Sequence, residues 1–261
     1  MFDITIATCS ERGQRDSNED DLRTGHSGSA WYAVLADGAG GHEHGAEASR
    51  RVVAYLEDAL QSAGPDFTPE HLTQAVQSAH AELQREQEHA QGQRRMHSTV
   101  VALWIDAMTD RALWSHVGDS RLYRLRYGEV DLVTSDDSVV QRMVEGGLLT
   151  PQQAREHPMK NQLIAALGMQ DGVEPNTVTQ AIELEDGDVF LLCSDGWWGD
   201  LDDADIAQSL IHASSPQEWL DAMRYRVEAC AAPSQDNFSA IAVWVGDSSE
   251  STRTMPDLGG V

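Results

Sequence analysis

The chain has 261 residues, 41% of them hydrophobic, and sets 18 Lys and Arg against 43 Asp and Glu for a formal net charge of −25. So acidic a protein is repelled by DNA, RNA and anionic membrane alike, which excludes partners bound mainly through phosphate contacts. The longest uninterrupted apolar run, Ala30 to Ala36, is far short of the ~20 residues that cross a bilayer, so no membrane insertion is expected.

Taken in order, apolar runs predict strands at 2–8, 22–27 and 30–36, followed by helical periodicity at 43–62 and 69–90, the second opened by Thr68-Pro69. Strands follow at 97–106, 111–118, 121–127 and 129–133, then short helices at 136–146, 151–157 and 160–166. Thr150-Pro151-Gln152-Gln153 reads as a capping box with Pro at the first helical position. Strands at 177–184 and 188–194 flank Glu185-Asp186-Gly187-Asp188, whose Asp-Gly pair favours the turns that join antiparallel strands. Helices at 203–212 and 216–230 come next. The first starts in the acidic stretch Asp200 to Asp205, favourable to the helix dipole, and the second at a capping box, Ser215-Pro216-Gln217-Glu218. A last strand covers 237–245. Grouped strands and grouped helices without strict alternation predict an α+β fold with antiparallel sheets.

Without internal repeats or a low-complexity linker, residues 1–246 read as one domain, with residues 136–176 as a helical flap and 247–261 as a mobile tail. The N-terminal stretch carries Asp3, Glu11 and Arg12 where a signal peptide needs apolar residues. Cys9, Cys193 and Cys230 are an odd number without paired spacing. Both features point to the cytoplasm, and the cysteines argue against a disulfide framework or a zinc knuckle.

The placement of certain acids matters more than their number. Asp37, Asp119, Asp195 and Asp236 each abut a predicted buried strand, and Asn18-Glu19-Asp20 precedes another. One Asp-Gly pair is an ordinary turn. Five segments delivering carboxylates to one end of a sheet pair would repel and lose hydration unless they surround cations. Oxygen ligands select hard ions, Mg²⁺, Mn²⁺ or Ca²⁺, over zinc.

These residues resemble the bacterial-type metal-dependent (type 2C, PPM) serine/threonine protein phosphatases, in order from about residue 5 to 245. Arg15-Asp16-Ser17-Asn18-Glu19-Asp20, Ala36-Asp37-Gly38-Ala39-Gly40-Gly41-His42, His97-Ser98-Thr99-Val100-Val101, Val117-Gly118-Asp119-Ser120-Arg121, Leu191-Leu192-Cys193-Ser194-Asp195-Gly196 and Ser234-Gln235-Asp236-Asn237-Phe238-Ser239 carry the match. The resemblance implies an α-β-β-α sandwich of two antiparallel sheets flanked by helix pairs, with metals at one edge. It implies that Asp37 bridges two Mn²⁺ or Mg²⁺ ions, that Asp195 and Asp236 complete the first, and that Glu19 and the Gly38 carbonyl serve the second. Asp20 would act through coordinated waters, Asp119 and Asp195 would hold a weaker third ion, and Arg15 would grip the substrate phosphate. The sequence departs from the family pattern at four points: Ala39 stands where many members have Met, Asp137 replaces a His in Asp136-Asp137-Ser138, one fewer residue separates Gly13 from Arg15, and Ile164-Ala165-Ala166 lacks the Arg often found before Ala-Leu-Gly.

The expected reaction is hydrolysis of phosphoserine or phosphothreonine by a metal-activated bridging hydroxide. The expected enzyme is monomeric and opposes a bacterial Ser/Thr kinase, with type VI secretion control as the physiological setting. His42 is a candidate general acid, although a His after Gly-Gly equally suits a helix cap. Two rivals stand beside this reading. Cys9 to Arg15 has the Cys-x5-Arg spacing of cysteine-dependent phosphatases, but Glu11 places a negative charge inside the phosphate cradle. A catalytically silent pseudophosphatase that binds phosphoproteins is the other, and its mark would be a lost metal Asp; none is lost. Trp197-Trp198 reads as core, His42 and His44 do not share a helix face as a zinc pair would, and Cys193 reads as packing.

Overall fold

The computed structural model describes residues 1–39, 43–64, 66–89, 96–170, 172–230 and 235–247. The first half contains β1 (Ile4–Glu11), β2 (Asp20–Ser27), β3 (Ala30–Ala39), α1 (Glu43–Ser62), α2 (Pro69–His89), β4 (His97–Ser98), β5 (Val100–Asp106), β6 (Arg111–Val117), β7 (Arg121–Arg126) and β8 (Glu129–Leu132). The second half contains α3 (Val139–Glu145), α4 (Pro151–Arg155), β9 (Asn176–Thr177), β10 (Ile182–Glu183), β11 (Val189–Cys193), α5 (Asp195–Trp198), α6 (Asp203–Ile211), α7 (Pro216–Ala229) and β12 (Phe238–Val245).

Strand alternation dictates the layers. Every residue of β12 is buried, as befits a strand covered on both faces. Phe238, Ala240, Ala242 and Trp244 face α6 and α7, where Ile206, Leu210, Trp219 and Met223 meet them. Ile241, Val243 and Val245 point the other way, onto Leu35, Val101 and Leu103 of the second sheet. On β3 the same period turns Tyr32, Val34 and Ala36 toward Val52, Leu56, Leu72 and Val76 of α1 and α2. The result is the expected α-β-β-α sandwich. One sheet runs β1-β12-β11-β7-β8; the other runs β10-β6-β5-β3-β2, with β4 on β3 and β9 on β6. All pairings are antiparallel.

Four expectations change. Residues 160–166 form no helix, because the N–H groups of Ile164 and Leu167 donate instead to Asp137 O and Ser98 O, both at 2.8 Å. The 177–184 strand is broken into β9 and β10. The Glu185–Asp188 turn closes no hairpin: β10 pairs with β6 in one sheet while β11 pairs with β7 and β12 in the other. Buried Asp188 fixes that crossing by taking Nε and Nη2 of Arg126 at 2.6 Å each. The Ser215 box is half made, since Ser215 caps Glu218 N at 3.2 Å but Glu218 accepts from Ser214 N at 2.9 Å. The Thr150 box is complete, as is one at Asp202, within the acidic start expected there. The proposed tail lies, from residue 248 on, outside the described residues. Among the described residues, no helix is long and apolar enough to cross a membrane.

Candidate active site

Register places the first two acids together: the antiparallel pairing of β2 with β3 sets Asp20 opposite Asp37. The Asp37 peptide is then fixed from both sides. Its N–H donates to Thr99 Oγ1 at 3.0 Å, and its carbonyl accepts from Thr99 N at 2.8 Å and Ser98 Oγ at 3.1 Å. Thr99 Oγ1 in turn lies 2.7 Å from Ser120 Oγ. Gly118, between β6 and Asp119, has φ +97° and faces the Thr99 side chain so closely that a Cβ there would come within 2.7 Å of Thr99 Cγ2; only glycine suits this turn.

The other sheet supplies Asp195 after β11 and Asp236 before β12. Ser194 joins the two groups of acids, because its hydroxyl donates to Asp20 Oδ2 at 2.8 Å while accepting from Ser239 N at 3.0 Å.

Residues 12–19, which carry Arg15 and Glu19, are held by Asn237. Its Nδ2 donates to Arg12 O and Ser17 O, both at 2.8 Å, and its Oδ1 accepts from Glu19 N at 2.8 Å. Gln14 N adds a bond to Gln235 O at 3.0 Å, and Arg15 Nη2 pairs with Asp236 Oδ2 at 2.5 Å. On the helix side, a Cβ at Gly45 would overlap Glu19 Oε2 and come within 2.9 Å of Gly38 O. The Glu19 carboxylate and the Gly38 carbonyl therefore face one point, next to a helix position where only glycine leaves them room.

Among the described residues no three His, Cys, Asp or Glu side chains close into a tight cage by themselves; the acids ring the edge, and their nearness shows in their titration. Burial, then Asp20, Asp195, Asp119 and Asp236, push the Asp37 carboxyl well above the usual carboxylate range. Burial, then Asp195 and Asp136, do the same to Asp119. Asp20 is pushed up to about 7 by burial, against hydrogen bonds from Ser194 and Ser239, and Asp195 to about 6 by burial and Asp236. Lys160 and Arg15 act on Asp195 in the opposite sense. Asp20 Oδ1 is buried with no hydrogen-bond partner, a costly condition for a carboxylate oxygen. Oxygen donors from carboxylates and a glycine carbonyl, an orphaned buried oxygen and mutually repelling acids fit hard divalent cations.

Glu19, Asp20, Asp37, Gly38, Asp119, Asp195, Asp236 and Arg15 thus lie at one edge, where the sequence led us to look. His42 lies outside the described residues. Cys9 sits within β1 opposite Ala240, not in a loop before a helix, and burial followed by Glu11 pushes its thiol up to about 11. It is no thiolate nucleophile. Cys193 is fully buried in β11, as expected. Asp137, in place of the family's His, is structural: Oδ2 accepts from Gly118 N at 3.0 Å, and both oxygens accept from Asn176 Nδ2 at 3.2 Å. Sequence reasoning gave no role to Asn237, Ser194, Thr99 or Lys160. The single signal available was that Lys160 is the chain's one lysine.

Comparison with known proteins agrees with this geometry. The family model described as Protein phosphatase 2C matches residues 9–241. The chain is 34% identical to the serine/threonine protein phosphatase PstP of Mycobacterium tuberculosis over 98% of its own length and 48% of PstP, so it spans about half of that relative. The crystal structure of the PstP catalytic domain in complex with two manganese ions superposes with a TM-score of 0.82 at 29% identity, covering 95% of this chain and 100% of that one. The structure of PppA, described as a key regulatory component of the type VI secretion system in Pseudomonas aeruginosa, superposes with a TM-score of 0.76 at 30% identity, covering 93% and 97%. With two antiparallel sheets, flanking helix pairs, the ordered acidic motifs and a family match over most of its length, the chain belongs to the protein phosphatase 2C family.

Proposed function

We propose that this chain is a metal-dependent protein serine/threonine phosphatase. The observation that carries the reading is the gathering of acids from five chain segments, together with the Gly38 carbonyl, at one sandwich edge rimmed by Arg15. Asp37 would hold two cations in common, Asp195 and Asp236 would complete one site, and Glu19 and Gly38 O would serve the other. Asp20 would stand behind them and orient water, while Asp119 and Asp195 would share a third, weaker ion. Mn²⁺ and Mg²⁺ suit such donors equally. Bound there, divalent cations lower the pKa of water and neutralise phosphate oxygens. The protein supplies the rest: Thr99, Ser98 and Ser194 fix the acids, Asn237 fixes the Arg15 loop, and the Arg15 guanidinium offers a fork matched to phosphate oxygens. Phosphorylated proteins in the cytoplasm, a Ser/Thr kinase or its targets, are the substrates this reading names. The likeness to PppA supports a setting in type VI secretion control.

Hydrolysis of a phosphothreonine peptide tests it, with Mn²⁺, with excess chelator and after thiol alkylation. Activity should need Mn²⁺ and survive alkylation. Survival in chelator with loss on alkylation would return the reaction to Cys9, and tight peptide binding without turnover in any arm would mark a pseudophosphatase. Asp37→Asn and Asp236→Ala should each abolish turnover.

A further inference from the structure

Asp119 and Asp195 come from different chain segments and repel each other, yet neither is tied to the other by its own side chain. Their separation is set through α5. This single turn begins at Asp195 and ends at Trp198, and Gly199 N closes it on Asp195 O at 2.8 Å. The Trp198 indole N–H donates to the Asp119 carbonyl at 2.9 Å. The turn that carries one acid is thus bonded to the peptide of the other.

The indole is itself braced. The Arg121 guanidinium carbon lies 3.6 Å from the Trp198 ring centroid, a stacking that an arginine holds better than a lysine. Arg121 is gripped in turn by Asp136, Nε to Oδ1 at 3.0 Å and Nη2 to Oδ2 at 2.8 Å, and donates to Tyr123 OH at 3.1 Å. With side-chain exposures of 12% and 8%, the Arg121–Asp136 pair is screened little by water. On the other side of Asp119, Asp137 accepts from Gly118 N and donates its own N–H to Gly118 O at 2.9 Å. Gly118 is thus held by Asp137 through both its N–H and its carbonyl, while among the described residues the indole bond is what links α5 to Asp119.

We propose that Trp198, braced by Arg121 and Asp136, is a positioning residue that sets the spacing of Asp119 and Asp195 and so the affinity for the divalent cation they share. The inference rests on the reading of those two acids as ligands of a common ion. Groups that orient ligands from behind change metal affinity by about 10–100-fold. Trp198→Phe keeps an aromatic face for Arg121 and removes the N–H, whereas Arg121→Lys keeps the charge and removes the planar stack and the fork.

Calorimetric titration of the full chain with Mn²⁺ tests this in wild type, Trp198→Phe, Arg121→Lys, Asp119→Asn and the Asp119→Asn/Trp198→Phe double variant. Wild type should show a tight class and a weaker class of sites, and Asp119→Asn should lose the weaker one. Trp198→Phe should weaken that class about 10-fold and the tight class, which Asp195 also serves, by distinctly less, and should restore no weaker class in the Asp119→Asn background. Arg121→Lys should shift it in the same direction, and carries the comparison if circular dichroism shows that Trp198→Phe does not fold. Wild-type affinity of the weaker class in both single variants overturns the proposal, as does equal weakening of both classes. A weaker class that persists in Asp119→Asn removes the ligand assignment, and the proposal with it.

Discussion

Arg15 and Asp236, 221 positions apart in the chain, meet in a 2.5 Å ion pair at the rim of the acidic edge. The pair is half exposed, with side-chain exposures of 54% and 33%, and such pairs add little to stability. Its value lies in where it parks the guanidinium. Arg15→Ala should therefore leave the thermal midpoint nearly unchanged while lowering kcat/KM on a phosphothreonine peptide by on the order of 10²-fold. Arg15→Lys should recover only part of the loss, because an ammonium has no bidentate fork. Steady-state kinetics beside a melting curve decide it; near-wild-type kcat/KM in Arg15→Ala would count against Arg15 as the phosphate ligand.

Asn237 is the opposite case, a residue whose loss should be felt in folding and activity together. Asn237→Ala strips partners from Glu19 N, Arg12 O and Ser17 O, and each buried group left unsatisfied costs roughly 1–3 kcal/mol. Urea denaturation of the chelated protein should show a loss in that range or above it, and Mn²⁺ affinity should fall as Glu19 loosens. Unchanged stability would show that water replaces the amide.

The acids at the edge give the chelated protein a distinctive dependence on pH. Asp20 and Asp195 are pushed up to about 7 and about 6, by burial first, so the folded chain holds protons that the unfolded chain releases near pH 4. Stability in chelator should be full below about pH 4, fall as pH rises through 4 to 7, and stay low above that. Cations bind the ionised acids, so added Mn²⁺ should stabilise more at pH 8 than at pH 5. Melting curves across that range with and without chelator test the sign, and a midpoint that rises with pH in chelator contradicts it.

With a net charge of −25, the protein as a whole repels an acidic phosphopeptide even after three divalent ions bind, while the cations, Arg15 and Lys160 oppose that field locally. Raising salt from low to moderate concentration should therefore increase kcat/KM on acidic phosphopeptides. Lys160→Gln should deepen the deficit at low salt and narrow it at moderate salt. A kcat/KM that falls with salt would place the attraction over a wider surface.

What the sequence made legible was what is local along the chain. An apolar run next to an Asp shows both a buried strand and an acid at its end, so the antiparallel α+β class and Asp37, Asp119, Asp195 and Asp236 could be found before any contact was known, whereas the layering as a sandwich came from the family resemblance. The α-helical spacing at 160–166 misled because the donors of Ile164 and Leu167 are engaged by Asp137 and Ser98, far away in the chain. The Asp186-Gly187 turn misled for a similar reason: Arg126 holds Asp188, and nothing near residue 187 records that. Asn237, Ser194 and Trp198 act through partners 45 to 225 positions distant, and a single chain carries no mark of such pairings.

Asp20 and Asp37 belong to one sheet, Asp195 and Asp236 to the other, and the layer between them is filled by Leu35, Val101, Phe190, Leu192, Ile241 and Val243. The acidic edge is therefore the open jaw of a caliper whose gauge is that apolar layer. Removing one methylene deep in the layer, at Val243 for example, should therefore shift the sheets slightly and, on the proposed reading, alter cation affinity at the jaw. On the proposed reading, selection on catalysis would reach residues that touch neither metal nor phosphate, and cations held across the jaw would tie the two sheets together.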